Sequence, residues 1–194
     1  MTDHIYWKNG VLYLLDQREL PFKKKYVKCA NLADVITAIN NMTVRGAPLL
    51  GIVAAYGMVL GVKERRKAKR SVAAADIERI AKKLGDTRPT AVNLFWALQK
   101  MKEAFARYAG DTDLVEDLLG EALAIHVEDI ENNRMLSLYG AELIEDGDTI
   151  LTHCNAGALA TGGYGTALGV LRAAHEAGKK IKVFATETRP YMQG

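Results

Sequence analysis

The sequence predicts an α/β chain: a small N-terminal β piece, a helical domain, and one βαβ unit that starts a parallel sheet. Three observations predict it. Asn9-Gly10 stands between Tyr6-Trp7-Lys8 and Val11-Leu12-Tyr13-Leu14-Leu15, and Asn-Gly between two apolar runs is the strongest short signal for a tight hairpin. From Asn31 to about Leu143 the apolar residues recur with helical spacing. From Thr149 to Gly194 a short apolar run is followed by a Gly-rich turn, a helical stripe and the alternating Lys180 to Ala185, the order of a βαβ unit.

The elements follow in turn. Asp16 to Pro21 leaves the hairpin, and Tyr26-Val27-Lys28 is a third short strand. Asn31 is placed to cap a helix to about Asn41, with Leu32, Val35, Ile36 and Ile39 on one face. Val44 to Pro48 is a loop, and Pro48 suits the first turn of the next helix, LLGIVAAYGMVLGVKERRK. A helix from about Ala75 to Leu84 precedes the loop Gly85 to Thr90, and the helix after it is expected to bury Val92, Leu94, Phe95, Trp96 and Leu98. Asp113 to Leu143 gives two helices or one long one, with Leu114, Leu118, Ala122, Ile125, Ile130, Leu136 and Leu143 as core. The turn Glu145 to Asp148 introduces the first parallel strand, and Gly178 suits the end of the crossover helix. The domain boundary is placed at 145/146: residues 1–145 form the hairpin and helical domain, and 146–194 the first part of the sheet domain.

Composition narrows the classes. The chain has 194 residues, 49% hydrophobic and 25% charged, with a net charge of +3, the profile of an ordinary globular protein. Lys63 to Arg70, KERRKAKR, lacks interleaved aromatics, so it reads as the exposed end of a helix, with a nucleic-acid patch as the alternative. The two cysteines, Cys29 and Cys154, are far apart in sequence, which argues against a disulfide framework and fits a reducing cytoplasm. Asp3, His4 and Lys8 interrupt any signal-peptide core, and the apolar run Ala47 to Val62 is too short to span a bilayer. No membrane role is expected.

Chemistry concentrates at three places. Arg45-Gly46-Ala47-Pro48 sets a guanidinium and bare amides at a helix start, where the dipole and the fork of donors favour a phosphate. The bland reading is an ordinary Gly-Ala turn with a solvated Arg. Arg88-Pro89-Thr90 repeats the design at a second helix start. Cys154 follows a strand and precedes a Gly-rich turn, where a sulfur can act as acid, base or nucleophile; a buried inert thiol is the alternative, and the better description of Cys29. His153 and Cys154 are neighbours on an extended run, so their side chains point to opposite faces. No metal-ligand spacing occurs, and Gly162-Gly163-Tyr164-Gly165 meets neither the dinucleotide nor the Walker spacing. His126 and His175 read as helix-surface residues. No metal or cofactor is called for.

VRGAPLLGIVAAYG, TRPTAVNLFWAL and ILTHCNAGALATGGYGTALGV…ETRPYMQG, with the opening WKNGVLYLLDQRELP, closely resemble the methylthioribose-1-phosphate isomerases. The resemblance covers the whole chain. It implies a Rossmann-like C-terminal domain, a homodimer, and conversion of an aldose 1-phosphate to a ketose 1-phosphate in methionine salvage. It assigns substrate binding to Arg45, Gly46, Ala47, Arg88 and Gln193, and matches Cys154 to the family's reactive Cys. The wider group includes ribose-1,5-bisphosphate isomerases and regulatory subunits of a translation-initiation guanine-nucleotide exchange factor, which stand as the alternatives.

One departure matters. The family's catalytic Asp and a substrate-binding Asn-Lys pair fall beyond the stretch matching Gln193, and Asp146 and Asp148 read as turn residues. The expectation is therefore a truncated form of a longer enzyme, or a sheet completed by another chain, with little or no isomerase activity on its own.

Overall fold

The computed structural model of the chain describes residues 3–68, 71–108 and 113–193. Strands β1 (Ile5–Lys8), β2 (Val11–Leu15) and β3 (Tyr26–Cys29) form an antiparallel sheet in the order β1-β2-β3. Asn9 and Gly10 take φ of 53° and 74°, the two positive values a tight type I′ turn requires. The hairpin aligns Lys8 with Val11 and Tyr6 with Tyr13, whose rings stack at 4.8 Å.

Helices α1 (Leu32–Asn40), α2 (Ala47–Lys67), α3 (Ala74–Gly85) and α4 (Val92–Tyr108) follow, and then α5 (Leu114–Glu142). Asn31 caps α1: its side chain accepts from the Asp34 amide at 2.9 Å, while the Asp34 carboxylate reaches back to the Asn31 amide. The chain divides into two compact units, 1–126 and 127–194, so the division falls inside α5. The sequence boundary at 145/146 marks the start of the parallel sheet instead. The difference has a local cause: the last turns of α5 pack on the crossover helix, where a Cβ at Gly140 would meet Val170 Cγ1 at 2.9 Å.

The core of the first unit is built on α2. Every residue from Leu49 to Val62 is buried, which is why this helix is apolar all round. It is long and apolar enough to cross a membrane by length and composition, but 78% of its most apolar window is buried inside the protein. A Cβ added to Gly51 would lie 2.7 Å from the Asn93 carbonyl oxygen, so only glycine lets the starts of α2 and α4 approach this closely.

Two expectations about burial are corrected. On α4, Leu94, Ala97, Leu98, Met101, Ala104 and Phe105 form one buried stripe, which leaves Val92 77% exposed and Phe95 and Trp96 nearly half exposed. Five apolar residues within seven cannot all face one side of a helix. On α5, which is one unbroken helix, Leu114, Leu118, Ala122 and Ile125 are buried, while Leu136 lies off the stripe and is exposed, as is Leu143 just past the helix end.

The basic run ends α2, with Arg65, Arg66 and Lys67 in its last turn. It is not wholly solvated: Arg65 pairs at 2.6 Å with the buried Asp76 of α3, which also binds Arg79. Lys69 and Arg70 lie outside the described residues.

In the second unit, β4 (Thr149–Thr152) pairs in parallel with β5 (Lys182–Ala185), Thr149 opposite Lys182 and Thr152 opposite Ala185. The crossover runs through a short 3₁₀ turn, Ala158–Ala160, and α6 (Ala167–Glu176). Gly178 ends α6 at φ 88°, its amide donating to the His175 carbonyl and the Lys179 amide to the Ala174 carbonyl, the paired bonds of a Schellman ending. Lys180 belongs to the turn before β5, its amide donating to Asp146 at 2.7 Å. Leu151, Val183 and Phe184 are exposed on the strand pair.

Candidate functional site

In the first unit, the hairpin exit and the loop before α2 meet around a buried arginine. The Gln17 amide donates to the Thr43 carbonyl at 3.0 Å, and the Arg45 guanidinium donates through Nη2 to the Gln17 carbonyl at 3.2 Å. Arg45 is only 8% exposed, so the solvated-Arg reading is corrected. Holding a guanidinium that deep requires hydrogen-bonding partners, and the carbonyl of the turn provides one. Beside it Asp16, also buried, takes both Nε and Nη2 of Arg18 at 2.8 and 2.7 Å. The hydrogen bond from Arg18 holds the Asp16 carboxyl below the usual carboxylate range against the opposing effect of burial.

Gly46 precedes α2 at φ 115°, a conformation that favours glycine. Ala47 is exposed, and Pro48 sits in the first turn, where a missing amide costs nothing. Arg88 is half-buried, and its carbonyl accepts from the Ala91 amide to open α4. Because Gly51 meets Asn93 one turn inside α2 and at the second residue of α4, the two helix starts lie at the same end of the unit. That end therefore collects two positive helix termini together with the residues of the Arg45 and Arg88 segments.

In the second unit, β4 leads straight into Cys154. The residue is exposed and has φ 69°, a left-handed conformation that is uncommon for a side chain with a Cβ. His153 does not serve the thiol: its Nδ1 lies 3.2 Å from Thr186 Oγ1, beyond the end of β5. Cys29 differs in every respect, being fully buried, its thiol pushed up to about 12 by burial. At the chain's end Gln193 is half-buried, and its Oε1 is inaccessible with no hydrogen-bond partner among the described residues. Gly194 lies outside them. Among the described residues no three His, Cys, Asp or Glu side chains come together as a metal site would require.

The predicted residues thus fall into two sets, Arg45, Gly46, Ala47 and Arg88 in the first unit, and Cys154 and Gln193 in the second. His126, expected on a helix surface, is half-buried instead, with Nδ1 3.2 Å from the hydroxyl of the buried Tyr56. Two supporting groups escaped sequence reading. The Gln17 carbonyl could not be paired with Arg45 from spacing, and Asp129, whose carboxylate accepts from the Gly162 amide at 2.6 Å, is 33 residues from its partner. Neither left a signal in the local sequence.

Residues 43–194 match the Initiation factor 2 subunit family. A methylthioribose-1-phosphate isomerase of Thermosipho africanus is 53% identical over 188 residues, covering 97% of this chain and 54% of that protein. The enzyme of the same name from Desulforudis audaxviator is 55% identical over 194 residues, covering 56% of its length. The chain therefore spans about half the length of the curated relatives it matches. The crystal structure of the 5-methylthioribose 1-phosphate isomerase of Pyrococcus horikoshii superposes with TM-score 0.86 at 37% identity, over 100% of this chain and 55% of that one. A structure titled as the delta subunit of translation initiation factor eIF-2B from A. fulgidus gives 0.83 at 44%, over 100% and 57%.

Proposed function

Since this chain belongs to the Initiation factor 2 subunit family, we propose that its protein is an aldose–ketose isomerase that converts 5-methylthioribose 1-phosphate to 5-methylthioribulose 1-phosphate in methionine salvage. The observation that carries this reading is the exposed Cys154, held at φ 69° at the carboxyl end of β4. Ligands of open parallel sheets bind at that end. A phosphate on the anomeric oxygen prevents simple opening to a free aldehyde, so charge must develop at C1 and C2 while a proton or hydride moves between them. Cys154 is the group that transfers a proton or stabilises that charge. Arg45, with Gly46 and Ala47 at the start of α2, and Arg88 at the start of α4 bind the phosphate and sugar oxygens. Gln193 contributes its side-chain amide to binding a substrate hydroxyl.

Two features of the wider reading belong with this proposal: a cytoplasmic homodimer, and a C-terminal domain of Rossmann-like type. A polypeptide of these 194 residues alone has little or no isomerase activity, because nothing in it matches the family's catalytic Asp. The test is turnover of 5-methylthioribose 1-phosphate and of ribose 1,5-bisphosphate by the full-length protein, with Cys154→Ser alongside. Conversion of the first substrate, lost in Cys154→Ser, is expected. Preference for the bisphosphate would make the protein a ribose-1,5-bisphosphate isomerase. Turnover of neither would favour the second reading, a non-catalytic regulatory subunit, to which the 44% identity with a structure of initiation-factor title points.

A further inference from the structure

The Gly-rich stretch between β4 and α6 resembles a phosphate cradle in composition, yet the amides of Ala160, Thr161, Gly162, Gly163, Gly165 and Thr166 are already engaged. Ala160 donates to the Gly157 carbonyl and Thr161 to the Ala158 carbonyl. Gly163 and Gly165 both donate to the hydroxyl of the fully buried Thr161, each at 3.2 Å. Thr166 and Leu168 both donate to the Ala156 carbonyl, at 2.9 and 3.3 Å. Gly162 donates to the Asp129 carboxylate at 2.6 Å. The outgoing and returning arms are also bridged at Gly157 and Gly165. A stretch whose donors are spent on itself is a bracket, and its outgoing arm begins at Cys154.

Two side chains from one turn of α5 meet the tip of that bracket. Asp129 accepts from Gly162, and Ile130 packs over Gly163, where a Cβ would come within 3.1 Å of its Cγ1. Asp129 is itself fixed in the helix, its carbonyl accepting from the Asn133 side-chain amide at 2.7 Å.

We propose that Asp129 is the positioning residue for Cys154: through Gly162, the Thr161 hydroxyl and the Gly157–Gly165 bridge, its carboxylate locks the arm that presents the thiol. This rests on the reading of Cys154 as the reactive group. A carboxylate is the strongest acceptor available for a backbone amide. An Asn at 129 keeps an acceptor at the same reach, whereas an Ala removes it. Thr161→Val severs the neighbouring clasp with almost no change of volume.

The experiment compares full-length Asp129→Ala, Asp129→Asn, Thr161→Val and parent protein by two readouts. The first is the rate of iodoacetamide alkylation of the Cys154 peptide, followed by mass spectrometry. The second is kcat and KM with 5-methylthioribose 1-phosphate. Asp129→Ala and Thr161→Val are expected to change the alkylation rate at least threefold and to lower kcat at least tenfold, with KM within threefold. Asp129→Asn should stay within about threefold of the parent in both. Alkylation within twofold of the parent in both Asp129→Ala and Thr161→Val would overturn the proposal, as would equal effects of the Ala and Asn variants. If Cys154→Ser retains turnover, the catalytic reading fails by itself, and the alkylation rates still decide whether Asp129 positions the thiol.

Discussion

Cys154 combines a left-handed φ of 69° with an exposed side chain, so its backbone conformation can be tested with little interference from packing. A residue bearing a Cβ in this region costs about 1–2 kcal/mol. Replacement by Gly removes that cost but adds freedom to the unfolded chain, which returns about 0.5–1 kcal/mol. Replacement by Ala keeps the Cβ and the strain. Because the side chain is solvent-exposed, neither change forfeits buried area. The full-length Cys154→Gly variant should therefore exceed Cys154→Ala in stability by about 0.5–1 kcal/mol. For a full-length protein about twice the length of this chain that corresponds to a rise of about 1 °C in thermal midpoint. Differential scanning calorimetry on matched preparations measures it, and both variants should lack isomerase turnover. An Ala variant as stable as the Gly variant would refute the claim that the protein holds its thiol at a strained position.

Two further outcomes follow from the same geometry. Gly165→Ala should destabilise the second unit by more than about 1 kcal/mol, since the position has φ 100° and the new Cβ would meet the backbone of Gly157, Ala158 and Ala156 at 2.9–3.1 Å; amide exchange of the bracket should quicken accordingly, and unchanged exchange would count against its rigidity. Asp16, whose carboxyl is lowered chiefly by the Arg18 hydrogen bond, contributes stability that is complete above the unfolded carboxyl value of about 3.9 and fades as pH falls through the lower folded value. Asp16→Asn should remove that part of the acid dependence, so an acid-unfolding profile identical to the parent's would contradict the assignment.

Legibility in the sequence tracked the range of the interactions. The Asn9-Gly10 turn, the Asn31 cap, Pro48 at a helix start and the Gly178 ending are each decided within four or five residues, and each stands where the local signal placed it. The burial of Val92, Phe95 and Trp96 was misread because composition marks a residue as apolar without saying which way the helix turns it. The start of β5 shifted from Lys180 to Lys182 because Asp146, far back in the chain, claims the Lys180 amide. The candidate site divides in the same way. Arg45, Arg88 and Cys154 were marked by their neighbours in the chain. The Gln17 carbonyl and Asp129, which hold Arg45 and the Cys154 bracket, act across 28 and 33 residues and left no local trace.

Arg45 is the side chain proposed to meet the phosphate of the substrate. It is 8% exposed and tethered through Nη2 to the Gln17 carbonyl, beside the opening of α2. A guanidinium presents several directed donors in one plane, which suits a phosphate in a way that the point charge of Lys cannot reproduce. Arg45→Lys in the full-length protein should therefore weaken binding of the sugar phosphate at least tenfold, about 1.4 kcal/mol. Its thermal midpoint should remain within a few degrees of the parent's. Gln17→Ala supplies the control, because it retains the backbone carbonyl and with it the tether, so affinity should stay within about threefold. Isothermal titration with 5-methylthioribose 1-phosphate, and with inorganic phosphate as competitor, measures both. Parental affinity in Arg45→Lys would confine Arg45 to a structural role in joining the hairpin exit to the loop before α2, and the phosphate-binding role would pass to Arg88.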